Sequence, residues 1–187
     1  MTEKAKVHGI VLAGGEGTRL RPLTFYFQKC MIPIGSLQKP LLEYIIRLLS
    51  HYEIRNITLL VGYKHEQIEN YFNHGDRFGV SISYVEDNPE FKGSGGSLIN
   101  AYKKGVINES ETLLIYYGDI LSNINLSKML TQHFEQRAVA TLAVTHRYQV
   151  PVGIAKIDGK KVIGWTEKPF LSINAGIGIM VLQSKIL

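Results

Sequence analysis

Apolar residues recur along this chain at two spacings. Val7 to Leu12 is a short, β-branched run that stops at glycines, the pattern of a buried first strand. From Pro40 onward Leu41, Leu42, Ile45, Ile46, Leu48 and Leu49 repeat at helical spacing, with proline at the favoured first position. Ile57 to Val61 predicts a second strand, and His65, Ile68, Tyr71 and Phe72 mark the apolar side of the helix after it. Val80 to Val85 alternates as a third strand. Leu98, Ala101 and Tyr102 suit a short helix behind a glycine stretch. Leu113 to Tyr117 is almost wholly apolar, as a central parallel strand covered on both faces should be. Leu126, Met129, Leu130 and Phe134 form a further helical stripe, with Asn125 as its N-cap.

After Arg137 the texture changes. Val139 to Val144, Val152 to Ile157, Val162 to Trp165 and Ile177 to Val181 read as strands separated by turns such as Asp158-Gly159. The pattern predicts an α/β fold: a mostly parallel central sheet flanked by helices, with additional strands toward the C-terminus. No repeat, low-complexity tract or linker interrupts it, so residues 1–187 read as a single domain.

Composition narrows the setting. No apolar run approaches the ~20 residues of a membrane span, and the opening Met1-Thr-Glu-Lys-Ala-Lys has no signal-peptide core. Cys30 is the sole cysteine, which excludes an internal disulfide and fits a reducing, cytoplasmic compartment. The net charge of +5 is spread along the chain, without the basic cluster and interleaved aromatics of a nucleic-acid binder. A polyphosphate cleft and an ordinary solvated surface are equally compatible with that charge. Neither nucleic acid nor membrane is expected as a partner; a homo-oligomer is compatible with the composition.

The most informative stretch is Leu12-Ala13-Gly14-Gly15-Glu16-Gly17-Thr18-Arg19-Leu20-Arg21-Pro22-Leu23-Thr24. Glycines let backbone N–H groups approach anionic oxygens, and Arg19 adds a forked, permanently charged donor suited to phosphate. The Gly-Lys-Ser/Thr ending of a P-loop is absent. The dinucleotide fingerprint also fails. Leu20 replaces its third glycine, Pro22 interrupts an early helix, and strand two ends in Val61-Gly62-Tyr63 rather than an acid.

This loop resembles the signature of the sugar-1-phosphate nucleotidyltransferases, and the likeness continues through Gln28-Lys29-Cys30-Met31-Ile32-Pro33-Ile34 and Lys39-Pro40-Leu41-Leu42-Glu43-Tyr44. It implies a Rossmann-like domain that transfers a nucleoside monophosphate from a nucleoside triphosphate to a sugar 1-phosphate, releasing pyrophosphate. It further implies that Leu12, Ala13, Gly14, Gly15, Gly17, Thr18 and Arg19 cradle the nucleotide, and that Arg19 and Lys29 hold the triphosphate. Cys30 stands where the family usually has proline. The stretch Glu86-Asp-Asn-Pro-Glu-Phe-Lys-Gly-Ser-Gly-Gly-Ser97 resembles the family's base-contacting segment. Gly93, Ser94 and Gly95 are thereby implied base or ribose contacts, and Glu86 an approach to the base edge.

Tyr117-Gly118-Asp119 ends the fourth strand, where a carboxylate on a sharp turn is well placed for a hard divalent cation. The family's Gly-Asp carries the metal, so Asp119 is the implied Mg2+ ligand. Pro151-Val152-Gly153-Ile154, Trp165-Thr166-Glu167-Lys168-Pro169 and Asn174-Ala175-Gly176-Ile177 are similar to the family's sugar-phosphate segments. Gly153, Glu167, Lys168 and Asn174 are the implied contacts, Lys168 joining Arg19, Lys29 and Asp119 in catalysis. Gly178 departs from the tyrosine common there.

A second metal-ligating aspartate of the family lies further on, in an Asp-Ile/Val-Gly motif missing before Leu187. The expectation is therefore a domain without the family's C-terminal part, with retained nucleotide binding and weak or absent turnover. The Gly-Ser-Gly-Gly run and Gly-Asp-Ile-Leu look more like guanylyltransferases acting on mannose or heptose 1-phosphate. Thymidylyl or uridylyl transfer to glucose 1-phosphate stays open, as does a non-catalytic regulatory subunit that binds a nucleotide-sugar. A glycosyltransferase would normally offer an Asp-x-Asp motif, and none occurs. The six histidines show no metal-ligand spacing, and His65 reads as structural.

Overall fold

The computed structural model describes residues 6–109 and 111–187; the leader reading of residues 1–5 lies outside them. In chain order the elements are β1 (Val7–Ala13), β2 (Pro33–Ile34), β3 (Lys39–Pro40), α1 (Leu41–His51), β4 (Asn56–Val61), α2 (His65–Phe72), β5 (Ser81–Glu86), α3 (Gly93–Lys103) and β6 (Thr112–Tyr117). They continue with α4 (Leu126–Glu135), β7 (Ala140–Gln149), β8 (Ile154–Asp158), β9 (Lys161–Thr166) and β10 (Phe170–Gln183). The main sheet has the order β5-β4-β1-β6-β10-β7. Strands β5, β4, β1 and β6 run parallel, and β10 joins β6 antiparallel through Ile179 to Gln183. The chain divides into two compact units, one reaching to Thr141 and resuming at Gly178, the other Leu142–Ile177.

Burial explains the strand choice. Leu113, Leu114, Ile115 and Tyr116 of β6 and Ile10 and Val11 of β1 are fully buried, so both faces of the sheet centre are covered. On one face Ile10, Leu60, Val85, Leu113 and Ile115 pack with Leu98 and Ala101 of α3. Each such aliphatic side chain contributes roughly 1.5–3 kcal/mol by leaving water. Helix α1 buries Leu42, Ile45, Ile46 and Leu49, one helical stripe. Its proline sits one place earlier than expected: Pro40 is the extended N-cap and pairs with Pro33 in the β2–β3 ladder.

Glu43 is an acid on the buried side of α1, only 3% exposed. Tyr71 Oη donates to it at 2.5 Å, Arg47 Nε at 2.7 Å, and Lys39 Nζ lies 3.0 Å away. Burial alone would raise its pKa, but these donors outweigh burial and bring it down to about 2.

Two predicted features shift. Helix α3 begins at Gly93, so Gly93, Ser94 and Gly95 form its first turn rather than a preceding loop. Glycine costs about 1 kcal/mol per helical residue, yet a β-carbon on Gly96 would lie 2.5 Å from the Phe91 carbonyl carbon. In α4, Phe134 is 38% exposed and its neighbour His133 is buried instead. Gln183 Nε2 donates to His133 Nε2 at 2.8 Å, which leaves Nδ1 as the protonated nitrogen, bonded to Thr141 Oγ1 at 2.8 Å. A polar network thus occupies a position that periodicity assigns to phenylalanine.

Burial holds the His133 pKa below its ordinary value. The unfolded chain therefore takes up this proton first, and stability falls as pH drops below about 6.5 toward the folded pKa. The expected slope is at most about 1.4 kcal/mol per pH unit. Urea melts between pH 7.5 and 5 should show a smaller acid loss in His133→Gln than in the wild type. Glu43 acts lower on the scale. Its contribution is complete above about pH 4.5 and is lost as pH falls toward about 2. Glu43→Gln should cost about 1–3 kcal/mol at pH 7, read from the urea midpoint, with the deficit vanishing in acid.

Candidate nucleotide-binding cavity

In a parallel sheet, the loops beyond the C-terminal strand ends meet where the strand order reverses. Here the chain leaves β1 for β4 and β5 on one side, then returns to β6 on the other. A cavity of about 980 Å³ opens at that point. It is lined by Leu12, Ala13, Gly14, Gly15, Gly17, Thr18 and Arg19 after β1, by Gly93 and Ser94 at the start of α3, and by Lys29 and Asp119. The structure thus brings these expected nucleotide-site residues to one hollow.

Glycine backbone at Gly14 and Gly118 forms part of its lining, and Gly62 lies behind Gly14. Gly14, Gly62 and Gly118 follow β1, β4 and β6 directly, and the three strand ends crowd one another. A β-carbon on Gly118 would lie 2.9 Å from the Leu12 carbonyl oxygen, and one on Gly62 would lie 3.0 Å from that of Gly14. Gly17 has a further reason. Its φ of 63° is left-handed, and a β-carbon would lie 3.0 Å from Lys29 Cβ.

Gln28 carries the lysine into place. It is buried, donates from Nε2 to the Ala13 carbonyl at 2.5 Å, and accepts from the Cys30 N–H at 2.6 Å. One side chain therefore ties the short turn Lys29–Met31 to the end of β1. Lys29 Nζ then donates to Asp119 Oδ2 across the cavity. Both ends of this pair are part-exposed, 25% and 33%, so they remain reachable by a ligand. Arg19, in the turn after Gly17, is exposed and has no protein ion-pair partner among the described residues. Cys30 lines the cavity but is no nucleophile. Burial pushes its thiol up to about 12, its own backbone N–H pulls down, Asp119 pushes up and Lys29 pulls down.

Two expected residues lie elsewhere. Gly95 is in the first turn of α3 and is not part of the lining. Glu86 is the last residue of β5, and its side chain gathers with His65 and Glu69, their ligating atoms within 4.8 Å of one another. His65 Nδ1 is 3.1 Å from Glu69 Oε1, which raises the His65 pKa. The next residue, Asp87, lines the cavity instead, as do Asn88, Pro89, Phe91, Lys92 and Ser97. Successive strand residues face opposite sides, so a shift of one position exchanges the carboxylates. A residue count from the end of the alternating run could have raised Asp87 as a candidate. Nothing local marks Gln28, whose role depends on reaching β1.

The unit Leu142–Ile177 holds the other expected residues. The hairpin of β8 and β9 pairs Ala155 with Trp165. Gly153 leaves room for Trp165, whose Cζ2 would lie 2.1 Å from an added β-carbon, and for Glu167 Oε2 at 2.8 Å. Trp165 Nε1 donates to Glu167 Oε2 at 3.4 Å, so Gly153, the indole edge and a carboxylate come together. Lys168 is exposed, at a left-handed φ of 43°, with its carbonyl accepting from Gln149 Nε2 at 3.1 Å. Asn174 is also exposed, with Oδ1 2.6 Å from His146 Nδ1.

Comparison with known proteins agrees with the loop and cavity. A D-glycero-alpha-D-manno-heptose 1-phosphate guanylyltransferase from Aneurinibacillus thermoaerophilus is 36% identical over 179 residues, covering 92% of this chain and 74% of that protein. A UTP–glucose-1-phosphate uridylyltransferase from Synechocystis sp. is 32% identical over 193 residues, covering 95% of this chain and 49% of that protein. The chain spans about half the length of that second relative. Among solved structures, HddC from Yersinia pseudotuberculosis complexed with GMP-PN shares the fold. Its TM-score is 0.68 at 22% identity, over 96% of this chain and 77% of that one. The family model described as nucleotidyl transferase matches residues 8–187, and with an identity of 36% to a relative covered over most of its length, the chain belongs to the nucleotidyl transferase family.

Proposed function

We propose that this protein binds a nucleoside triphosphate in the cavity at the ends of β1 and β6 and transfers its nucleotidyl group to a sugar 1-phosphate. The observation that carries this reading is the meeting of Arg19, Lys29 and Asp119 around a glycine-lined hollow of about 980 Å³. Both reactants are anions, so the barrier is set by mutual repulsion and alignment rather than by a missing base. A phosphate oxygen of the sugar attacks the α-phosphorus in line, and pyrophosphate leaves. The backbone N–H groups of Gly14 to Gly17 and the cations Arg19 and Lys29 serve the triphosphate.

Asp119 fits a divalent ion. It is a hard oxygen donor in the cavity, and among the described residues its one hydrogen-bond partner is Lys29. Magnesium commonly takes one or two protein carboxylates and fills its octahedron with phosphate oxygens and water. Bound there, Mg2+ would neutralise phosphate charge beside Lys29. Glu167 and Lys168 serve sugar hydroxyls and sugar phosphate, with Gly153 and Asn174 beside the ring. The Trp165 indole N–H supports this by holding the Glu167 carboxylate in place.

Guanylyl transfer to a mannose- or heptose-type 1-phosphate is the favoured specificity, supported by the 36% identity to the heptose 1-phosphate guanylyltransferase over 74% of its length. Thymidylyl or uridylyl transfer to glucose 1-phosphate is the second reading, supported by the uridylyltransferase relative. Among the described residues no helix is long and apolar enough to cross a membrane. With Cys30 as the sole, buried cysteine, a cytoplasmic enzyme is our reading of the setting.

Titration with each nucleoside triphosphate, with and without Mg2+, should show tight binding only with the metal. Pyrophosphate release over a matrix of triphosphates and sugar 1-phosphates then reads the acceptor. Lys29→Ala should weaken triphosphate binding by roughly 10- to 100-fold, the worth of one or two charge-assisted hydrogen bonds. Asp119→Ala should abolish the Mg2+ dependence and any turnover while the melting curve changes little. If the wild type binds no triphosphate at all, the reading fails.

A further inference from the structure

We propose that His65, Glu69 and Glu86 form a binding site for a first-row transition dication of the zinc class, outside the nucleotide cavity and independent of how that cavity is read. One imidazole nitrogen and two carboxylate oxygens converge there, all within 4.8 Å of one another. Helix α2 supplies two of these donors. His65 and Glu69 are four residues apart and so lie on one side of the helix, while Ile68 and Phe72 are buried and hold it against the fold. Strand β5 supplies the third. Tyr84 and Glu86 share one face of that strand, since side chains two apart point the same way. Tyr84 Oη donates to the Asn73 carbonyl just past the end of α2 at 2.6 Å, and Glu86 meets the start of the helix. The Glu86 main chain is held separately from α3, its carbonyl accepting from Asn100 Nδ2 at 3.0 Å. Asp87, one residue on, lines the cavity, so the two sites share no carboxylate.

The charge balance there favours a cation. Glu69 and Glu86 repel one another at this distance, and Glu66, 3.6 Å from His65 Nε2, adds a third negative group. Among the described residues no Lys or Arg forms an ion pair with any of the three, and the Glu86 carboxylate has no hydrogen-bond partner. Lys104 is close, yet its Nζ donates to the Glu86 carbonyl at 3.5 Å rather than to the carboxylate. The spacing also fits. His65 Nδ1 and Glu69 Oε1 are 3.1 Å apart, as two donors each about 2.1 Å from one ion would be. In the ion-free chain an N–H···O bond spans the same distance. Glu86 is exposed at a strand end, so rotation of its side chain closes the remaining gap. An imidazole among the donors favours zinc, cobalt or nickel over magnesium, which prefers oxygen alone. The ion would brace α2 rather than react. On the same helix Gln67 accepts from the Gln28 N–H at 2.8 Å and donates to the Tyr26 carbonyl at 2.7 Å, so a fixed α2 steadies the segment leading to Lys29.

Titrations with Co2+ and Zn2+ in the absence of nucleotide test this on the wild type, His65→Ala, Glu86→Gln and Asp119→Asn. Co2+ is followed through its visible ligand-field bands and Zn2+ by calorimetry. The wild type should take up one equivalent, which a large excess of Mg2+ does not displace. His65→Ala and Glu86→Gln should each weaken binding at least roughly tenfold, since even the loss of a ligand's supporting contact costs roughly 10- to 100-fold. Asp119→Asn should keep the wild-type affinity. An ion held only by the folded chain stabilises it, so the wild-type melting temperature should rise with Zn2+ concentration and that of His65→Ala should not. No uptake by the wild type in large excess of either ion would overturn the site and leave His65 and Glu69 as a hydrogen-bonded pair. Uptake unchanged in both His65→Ala and Glu86→Gln would place the ion elsewhere, and uptake lost only in Asp119→Asn would place it in the cavity. Loss in His65→Ala but not in Glu86→Gln would reduce the site to a contact on the helix surface. Each of these overturns it equally. Should His65→Ala not fold, Glu86→Gln, at an exposed position, decides with Asp119→Asn.

Discussion

Close approach of three strand ends is the constraint on which the cavity depends. Strands β4, β1 and β6 run parallel and adjacent, and the residue after each is glycine: Gly62, Gly14 and Gly118. A side chain on Gly62 or Gly118 would meet the main chain of the neighbouring strand end. Where Gly14 and Gly118 line the cavity without side chains, an anionic ligand can come within hydrogen-bond range of main-chain N–H groups. Fold and site thus share one cause, since the packing that joins the strands also clears the space above them.

Charge is then delivered from outside the sheet. The turn that presents Lys29 has little reason of its own to stay at the mouth of the cavity. Gln28 holds it there through the Ala13 carbonyl and the Cys30 N–H, and Gly17 gives the lysine stem room to pass. Lys29 in turn meets Asp119, 90 residues further on. In the free protein each group of that pair offsets the other's charge. On the proposed function, a polyphosphate and a cation would offer both better partners, phosphate for the lysine and metal for the aspartate. A site built this way avoids holding isolated charges in a partly apolar hollow when it is empty.

Much of the fold was legible along the chain because periodicity reports burial directly. The strands from Val7, Ile57, Val80 and Leu113 and the helices from Pro40, His65 and Leu126 are present to within a residue or two at their starts. The departures have local reasons. The glycines from Gly93 are helical, so a sequence that reads as loop forms a first turn, and at Gly96 the Phe91 main chain leaves no room for a β-carbon. His133 replaces Phe134 in the interior because Thr141 and Gln183 satisfy its ring nitrogens, and periodicity does not register a partner 50 residues away. Strand β10 is longer than its apolar run, reaching back to Phe170.

By itself the sequence determined the alternation of strands and helices, the glycine loop after β1, the cation Arg19 within that loop, and a carboxylate, Asp119, at the end of a buried strand. Those follow from local properties: the spacing of apolar residues, the freedom of glycine, the charge of a side chain. Tertiary structure alone decided which carboxylate faces the cavity. Glu86 and Asp87 are chemically alike and adjacent, and strand pleating sends one toward His65 and Glu69 and the other toward Ser97. It also decided that Gln28 is structural, because its partner on Ala13 becomes a neighbour only when the chain after β1 folds back. Contacts between distant segments are set by packing, and no local pattern encodes them.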